Sequence, residues 1–179
     1  PLSLHDALPI YVIDNIAYPL VAAKGFKWPA AREVAAHWVK KMYLDGAERK
    51  YPHQLSGGMQ QRVAIARSLC MEAKILLMDE PFGAIDRKIR WEMQDLVAEV
   101  AFLRPEREFT VFLVTHDIAE AVYLGDRIWV MNKGTIHRQE FAERPSEPAR
   151  AAQSRPAFLD TVAFLNEEID RLDLGGGKR

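Results

Sequence analysis

Ser56 stands directly before Gly57 and Gly58 in the run LSGGMQQRVAIARSL, residues 55–69. Serine is a good N-cap, and two glycines behind it keep the first turn's amides clear of side chains. The run therefore predicts a helix whose opening turn can receive an anion, since unpaired N–H groups and the helix dipole both favour negative charge. A capped surface helix is the plain alternative for Ser-Gly-Gly taken alone. Further on, Asp79 and Glu80 close the run KILLMDE, and Thr115 and His116 close TVFLVTH. A carboxylate at a strand end can hold Mg²⁺ through water, because magnesium prefers one or two carboxylates together with phosphate oxygens. The neighbouring acid can then orient or deprotonate an attacking water. Either an acidic pair or a histidine at a strand end is, by itself, more often an ordinary solvated residue. Their joint appearance, each closing its own apolar run, points to phosphate chemistry.

Such residues need elements to hold them. Ile13, Ile16 and Leu20, then Val34, Trp38 and Met42, fall at helical spacing, so the first fifty residues read as helical. Ile75 to Met78 form a short continuous apolar run, which predicts a strand buried on both faces. Helical period returns over 85–103 through Ile85, Ile89, Met93, Leu96, Val100 and Leu103, and Pro105 ends it. Residues 110–114 predict a second buried strand. Ile118, Ala121 and Val122 mark a short helix, with Gly125 as its expected left-handed cap. Residues 127–131 and 135–138 read as a hairpin about Asn132-Lys133-Gly134. Pro145, Pro148 and Pro156 break the chain into a linker, ahead of a last helix striped by Phe158, Val162, Leu165, Ile169 and Leu172; the tail GGGKR is expected to fray. Strand and helix in alternation imply a mostly parallel α/β sheet, whose ligands gather at the carboxyl ends of its strands.

A chain of 179 residues, 49% hydrophobic and 27% charged, has the composition of a folded domain. Its formal charge of -1, from 24 basic and 25 acidic residues, gives no support to a general nucleic-acid or membrane-surface binder. The single cysteine, Cys70, excludes an internal disulfide framework and fits a reducing compartment. No apolar run approaches the roughly 20 residues of a membrane-spanning helix, so a membrane role would come through a partner.

Taken together, LSGGMQQR resembles the signature motif of ABC-type ATPases, ILLMDEPF their Walker B strand with its following glutamate, GAID their D-loop, and VTHD their histidine loop. The wider run from residue 11 to about 140 is similar to bacterial importer ATPases of the nitrate, sulfonate and taurine group. The resemblance implies a P-loop NTPase-like α/β fold, here the C-terminal portion of an ABC ATPase domain with a C-terminal helical extension. Its expected divisions are a leader at 1–10, a helical subdomain at 11–56, the catalytic core at 57–138 and the extension at 139–179. In that family two subunits sandwich two ATPs head to tail, so the resemblance implies ATP and Mg²⁺ as cofactors and a second ATPase subunit as partner. Membrane permease subunits, and indirectly a periplasmic or lipid-anchored solute-binding protein, are the other implied partners; nucleic acid is not. The implied place is the cytoplasmic face of the inner membrane. Carried over motif by motif, Ser56, Gly57 and Gly58 would cradle the γ-phosphate held by the opposite subunit, and Gln60 would add a polar contact. Asp79 would hold Mg²⁺ through water, Glu80 would be the general base, His116 would contact the γ-phosphate, and Asp86 would communicate across the dimer. Tyr18, Trp38 and Tyr43 would line the surface that grips the permease or fill the subdomain core, with core the first expectation for Trp38.

The sequence departs from the family at one end. No G-x-x-x-x-G-K-[ST] occurs in it, and Gly177-Lys178 lacks both the earlier glycine and the following hydroxyl residue. The adenine-stacking and glutamine loops are missing too, so the chain is expected to be the C-terminal half to two-thirds of a transporter ATPase. PLSLHDALPI, residues 1–10, resembles translated sequencing-adapter DNA and is expected to be non-native; a genuine truncated paralogue is the alternative. Uncovered apolar core, poor solubility, weak or no ATP binding and no ATP turnover by the isolated chain are the expected consequences. Two other readings stay open: a non-hydrolytic regulatory chain, and a DNA-repair-type ATPase, which should carry heptad coiled coils beside the signature that are not seen here.

Overall fold

The computed structural model describes residues 10–102, 110–143 and 145–175. The chain forms two units, one ending at Val114 and the other beginning at Thr115. The expected leader (but for Ile10), Leu103, Pro105 and Gly177-Lys178 lie outside the described residues.

In the first unit, α1 (Val12–Lys24) and α2 (Trp28–Lys41) pack against each other, joined by a turn at Gly25, whose φ of 70° is the left-handed conformation that ends α1. Val12, Ile16, Ala17 and Leu20 of α1 are buried, as are Ala31, Ala35, Trp38 and Val39 of α2. A two-pronged ion pair fastens the helices: Arg32 donates to Asp14 at 2.7 and 3.1 Å. Trp38 thus belongs to the core, whereas Tyr18 and Tyr43 are exposed. Next come α3 (Gly57–Cys70), which packs on both helices, β1 (Ile75–Asp79), α4 (Arg87–Phe102) and β2 (Thr110–Val114). β1 and β2 run parallel, in register from Ile75 opposite Thr110 to Asp79 opposite Val114, with α4 in the crossover that parallel neighbours require.

The structure corrects one expectation here. β1 is buried on one face only: Leu76 and Met78 are covered, while Ile75 and Leu77 are 60% and 54% exposed. On β2, Phe112 and Val114 are 44% and 61% exposed on the same side. A continuous apolar run records that both faces suit burial, but it does not say what covers them. Among the described residues nothing covers this one. α4 also begins at Arg87, leaving Ile85 buried in the preceding loop.

Cys70 closes α3, its thiol donating to the carbonyls of Ile16 and Arg67 at 3.4 and 3.2 Å. Burial pushes its pKa up to about 12, from an ordinary value of 9.0. The neutral thiol is therefore favoured in the folded state. Its contribution to stability is complete below the unfolded value and is lost as pH rises through the window between the two. A thiol-reactive dye at pH 8 is expected to label Cys70 only on unfolding, at the rate at which the helical unit opens; prompt labelling of the native chain would contradict this placement.

In the second unit, α5 (Ile118–Leu124) is capped by Asp117, which accepts from the Glu120 amide at 3.2 Å. Gly125 does not take the expected left-handed conformation. Its φ is -90° and its amide bonds the Ala121 carbonyl at 2.9 Å. A Cβ there would stand 2.7 Å from that same oxygen, so close approach, not handedness, is what requires glycine. β3 (Arg127–Asn132) and β4 (Thr135–Phe141) form the expected hairpin, with Lys133 and Gly134 at φ 48° and 78° in its two-residue turn. After the short α6 (Ala149–Ala152) comes α7 (Pro156–Gly175), which buries Phe158 and Leu165. Arg138 of β4 pairs with Glu140 and with Glu168 of α7 and lies over the Phe164 ring, fastening helix to hairpin.

Candidate functional site

α3 opens as its sequence requires. Ser56 is the N-cap, its hydroxyl accepting from the Met59 amide at 3.3 Å while its carbonyl takes the Gln60 amide at 2.9 Å. That leaves the amides of Gly57 and Gly58 as first-turn donors the cap does not use. Ser56 and Gly57 are exposed, and Gly58 is half-buried. The two glycines differ sharply in what surrounds them. A Cβ on Gly57 would meet the Ala84 side chain at 3.6 Å, an ordinary contact, whereas one on Gly58 would stand 2.8 Å from the Ala84 carbonyl oxygen. Gly58→Ala is accordingly expected to destabilise the unit by about 1–3 kcal/mol despite alanine's better helix propensity. Gly57→Ala should be neutral or mildly stabilising. Urea unfolding of the two variants side by side checks this, and equal midpoints would contradict it.

The acids occupy the end of β1. Asp79 is its last residue, exposed on the sheet's open side. Glu80, half-buried, has a φ of 46°, a conformation that residues other than glycine rarely adopt and that concentrates at functional sites. Its amide bonds the Val114 carbonyl at 2.9 Å, and its own carbonyl receives the Gly83 amide at 3.3 Å. Asp86 is exposed at the start of α4, where its carboxylate accepts from the Ile89 amide at 3.3 Å. Among the described residues no three His, Cys, Asp or Glu side chains gather to hold an ion by themselves. A single accessible carboxylate suits Mg²⁺ that brings its remaining oxygens from water and phosphate.

Two residues missed in the sequence reading tie these parts together. Gln61, buried, donates from Nε2 to the Glu80 carbonyl at 3.0 Å and accepts at Oε1 from the Ala84 amide at 2.8 Å. Arg62, also buried, donates from Nη1 to the carbonyls of Met42 and Tyr43 at 2.8 and 2.7 Å. Burial lowers the Arg62 pKa, and Asp86 pulls it back up. A signal for both was present: Gln61 shares a helical face with Ile65 and Leu69, and Arg62 with Ala66 and Cys70, so each is a polar residue on an apolar stripe. Gln60 faces elsewhere, its Nε2 donating to Pro52 at 2.9 Å and holding the 3₁₀ turn Pro52–Gln54 that leads into the signature.

His116 belongs to the second unit and is exposed. Its loop is stapled on both sides: the Thr115 hydroxyl donates to buried Glu120 at 2.9 Å and accepts from the Asp117 amide at 3.0 Å.

A sequence profile of the ABC transporter family matches residues 8–83. The aliphatic sulfonates import ATP-binding protein of Bacillus licheniformis is 46% identical over 137 residues, which is 75% of this chain and 51% of that protein. The chain belongs to the ABC transporter family. The trimethylamine N-oxide transport system ATP-binding protein of Pelagibacter ubique is 46% identical over 160 residues, covering 89% of this chain and 43% of the relative. The sulfate/thiosulfate import ATP-binding protein of Bacillus cereus is 42% identical over 76% of the chain and 40% of its own length. The ABC chain thus spans about half, or less, of the curated relatives it matches. An ATP-binding cassette solved as a dimer, in a post-hydrolysis state with ADP and Pi, superposes with a TM-score of 0.70 at 32% identity, over 79% of this chain and 61% of that one. The fold is that of an ABC ATPase domain, as the motifs imply.

Proposed function

We propose that this ABC chain is an ATP-binding and hydrolysing energy-coupling subunit of a bacterial importer of the nitrate, sulfonate and taurine type. It would sit on the cytoplasmic face of the inner membrane, against permease subunits that receive solute from a periplasmic or lipid-anchored binding protein. Among the described residues no helix is long and apolar enough to cross a membrane. The observation that carries the reading is the arrangement in the first unit: a Ser-capped glycine turn held by Gln61 against the loop that follows Asp79 and Glu80.

In this reading ATP is bound between two subunits. Ser56, Gly57 and Gly58 meet the γ-phosphate held by the partner, whose charge the open helix amides favour. Asp79 holds Mg²⁺ through water, and the ion when bound neutralises charge on the phosphates. Glu80, fixed by its backbone bonds to Val114 and Gly83, takes the proton of the attacking water. His116 contacts the γ-phosphate, and Asp86, whose carboxylate caps α4, relays the state of one site to the other. Gln60 supports the turn that presents the signature. The rest is positioning and charge stabilisation, as in phosphoryl transfer generally.

The 179 residues hold no Lys-bearing phosphate loop, and the open side of β1 and β2 is apolar. By itself the chain is therefore proposed to bind ATP weakly, to aggregate and not to turn over. Beside an intact sister subunit it would lend its signature to the sister's ATP. ATP turnover by the chain assembled with a sister ATPase and permease is the test: hydrolysis that requires Mg²⁺ is expected, and a confirmed assembly that binds no nucleotide would contradict the reading.

A further inference from the structure

The Gln61 side chain is 7% exposed and spends both ends of its amide on backbone of one short loop. Its donor goes to the carbonyl of Glu80, the proposed base; its acceptor takes the amide of Ala84, two residues before Asp86. On the same helix, one turn earlier, Gly58 approaches the Ala84 carbonyl so closely that no Cβ fits between them. The peptide of Ala84 is thus gripped at its amide by Gln61, and its carbonyl lies against Gly58. Glu80 is gripped at its amide by Val114 and at its carbonyl by Gln61 and Gly83. Its φ of 46° is a conformation that must be imposed from outside, and these bonds are what impose it.

We propose that Gln61 is a positioning residue that locks the signature turn to the Glu80–Asp86 loop of the same chain, so that the helix serving one nucleotide also sets the base serving the other. This rests on the function proposed above. The chemistry requires an amide. A carboxylate in its place keeps an acceptor for Ala84 but offers no hydrogen to the Glu80 carbonyl, and an aliphatic side chain offers neither. The two halves of the lock can therefore be removed separately.

The experiment compares the wild-type chain with Gln61→Leu and Gln61→Glu in the assembly with sister subunit and permease, reading amide hydrogen exchange and ATP turnover. Exchange at Ala84 is expected to accelerate at least about tenfold in Gln61→Leu and to stay near wild type in Gln61→Glu, since only the first loses the acceptor. Both variants are expected to lose about 10- to 100-fold in kcat, with KM for ATP within about twofold of wild type, because the signature turn that completes the sister's site loses its hold on the Glu80–Asp86 loop while the sister's own contacts to ATP remain. A general loss of structure would instead raise exchange throughout α3 and disturb KM as well. Unchanged exchange at Ala84 in Gln61→Leu, or unchanged kcat in Gln61→Glu, overturns the proposal. A wild-type assembly that turns over no ATP counts against the functional reading alone, and the exchange comparison then decides the lock by itself.

Discussion

Glu80→Gln is expected to lower ATP turnover by about 10²- to 10⁴-fold in any assembly in which this chain supplies the base, the range over which general bases contribute. Nucleotide affinity should hold or improve. The substitution is isosteric, and it leaves in place the bonds made by the backbone of position 80: its amide to Val114, its carbonyl to Gly83 and Gln61. The loop should therefore keep its shape while losing its proton acceptor. Single-turnover hydrolysis and equilibrium ATP binding, measured on the same preparation, separate the two effects. Loss of binding in step with turnover would mean that the residue is structural, and unchanged turnover would remove it from the mechanism.

Arg62→Met is expected to destabilise the first unit by about 2–4 kcal/mol, since it strands the buried carbonyl of Met42 and removes the donor from the half-buried carbonyl of Tyr43. Methionine matches the length of the arginine stem, so lost donors and not lost volume account for the change. Met42 is fully buried and Tyr43 has a φ of 50°, so the turn leaving α2 depends on the guanidinium to hold it to α3. Arginine stays charged across the accessible range, and the deficit should be flat from about pH 6 to 9. Urea denaturation at the two ends of that range is the check. A loss below about 1 kcal/mol would mean that water replaces the guanidinium at those carbonyls.

The sequence carried the local features because local chemistry makes them. Ser56 caps α3 through its own hydroxyl, and the hairpin turn follows from Gly134, which accepts positive φ. What it hid depends on residues distant along the chain. Ile75 and Leu77 look like a strand covered on both sides, yet what lies over a strand is decided by other segments. Gly125 does cap α5, but its need for glycine comes from the nearby Ala121 carbonyl and not from handedness, a packing detail that the residue type alone does not show. Gln61 and Arg62 sit among hydrophilic neighbours in QQR, and their partners lie about twenty residues away on either side, at Glu80 and Ala84 and at Met42 and Tyr43. Only their alignment with Ile65, Leu69, Ala66 and Cys70 marked them as buried. For Asp86 the structure adds a plain role, capping α4, to the one expected from the motif.

The central claim, that this chain completes a nucleotide site with its Ser56–Gly58 turn, is tested most directly by ATP hydrolysis in a mixed dimer. An intact sister ATPase is assembled with the wild-type chain or with Ser56→Arg, and the one-to-one assembly is confirmed by mass. The expected result is hydrolysis above that of the sister alone with the wild-type chain, and none of that increase with Ser56→Arg. No increase with the wild-type chain, or the same increase with Ser56→Arg, would contradict it.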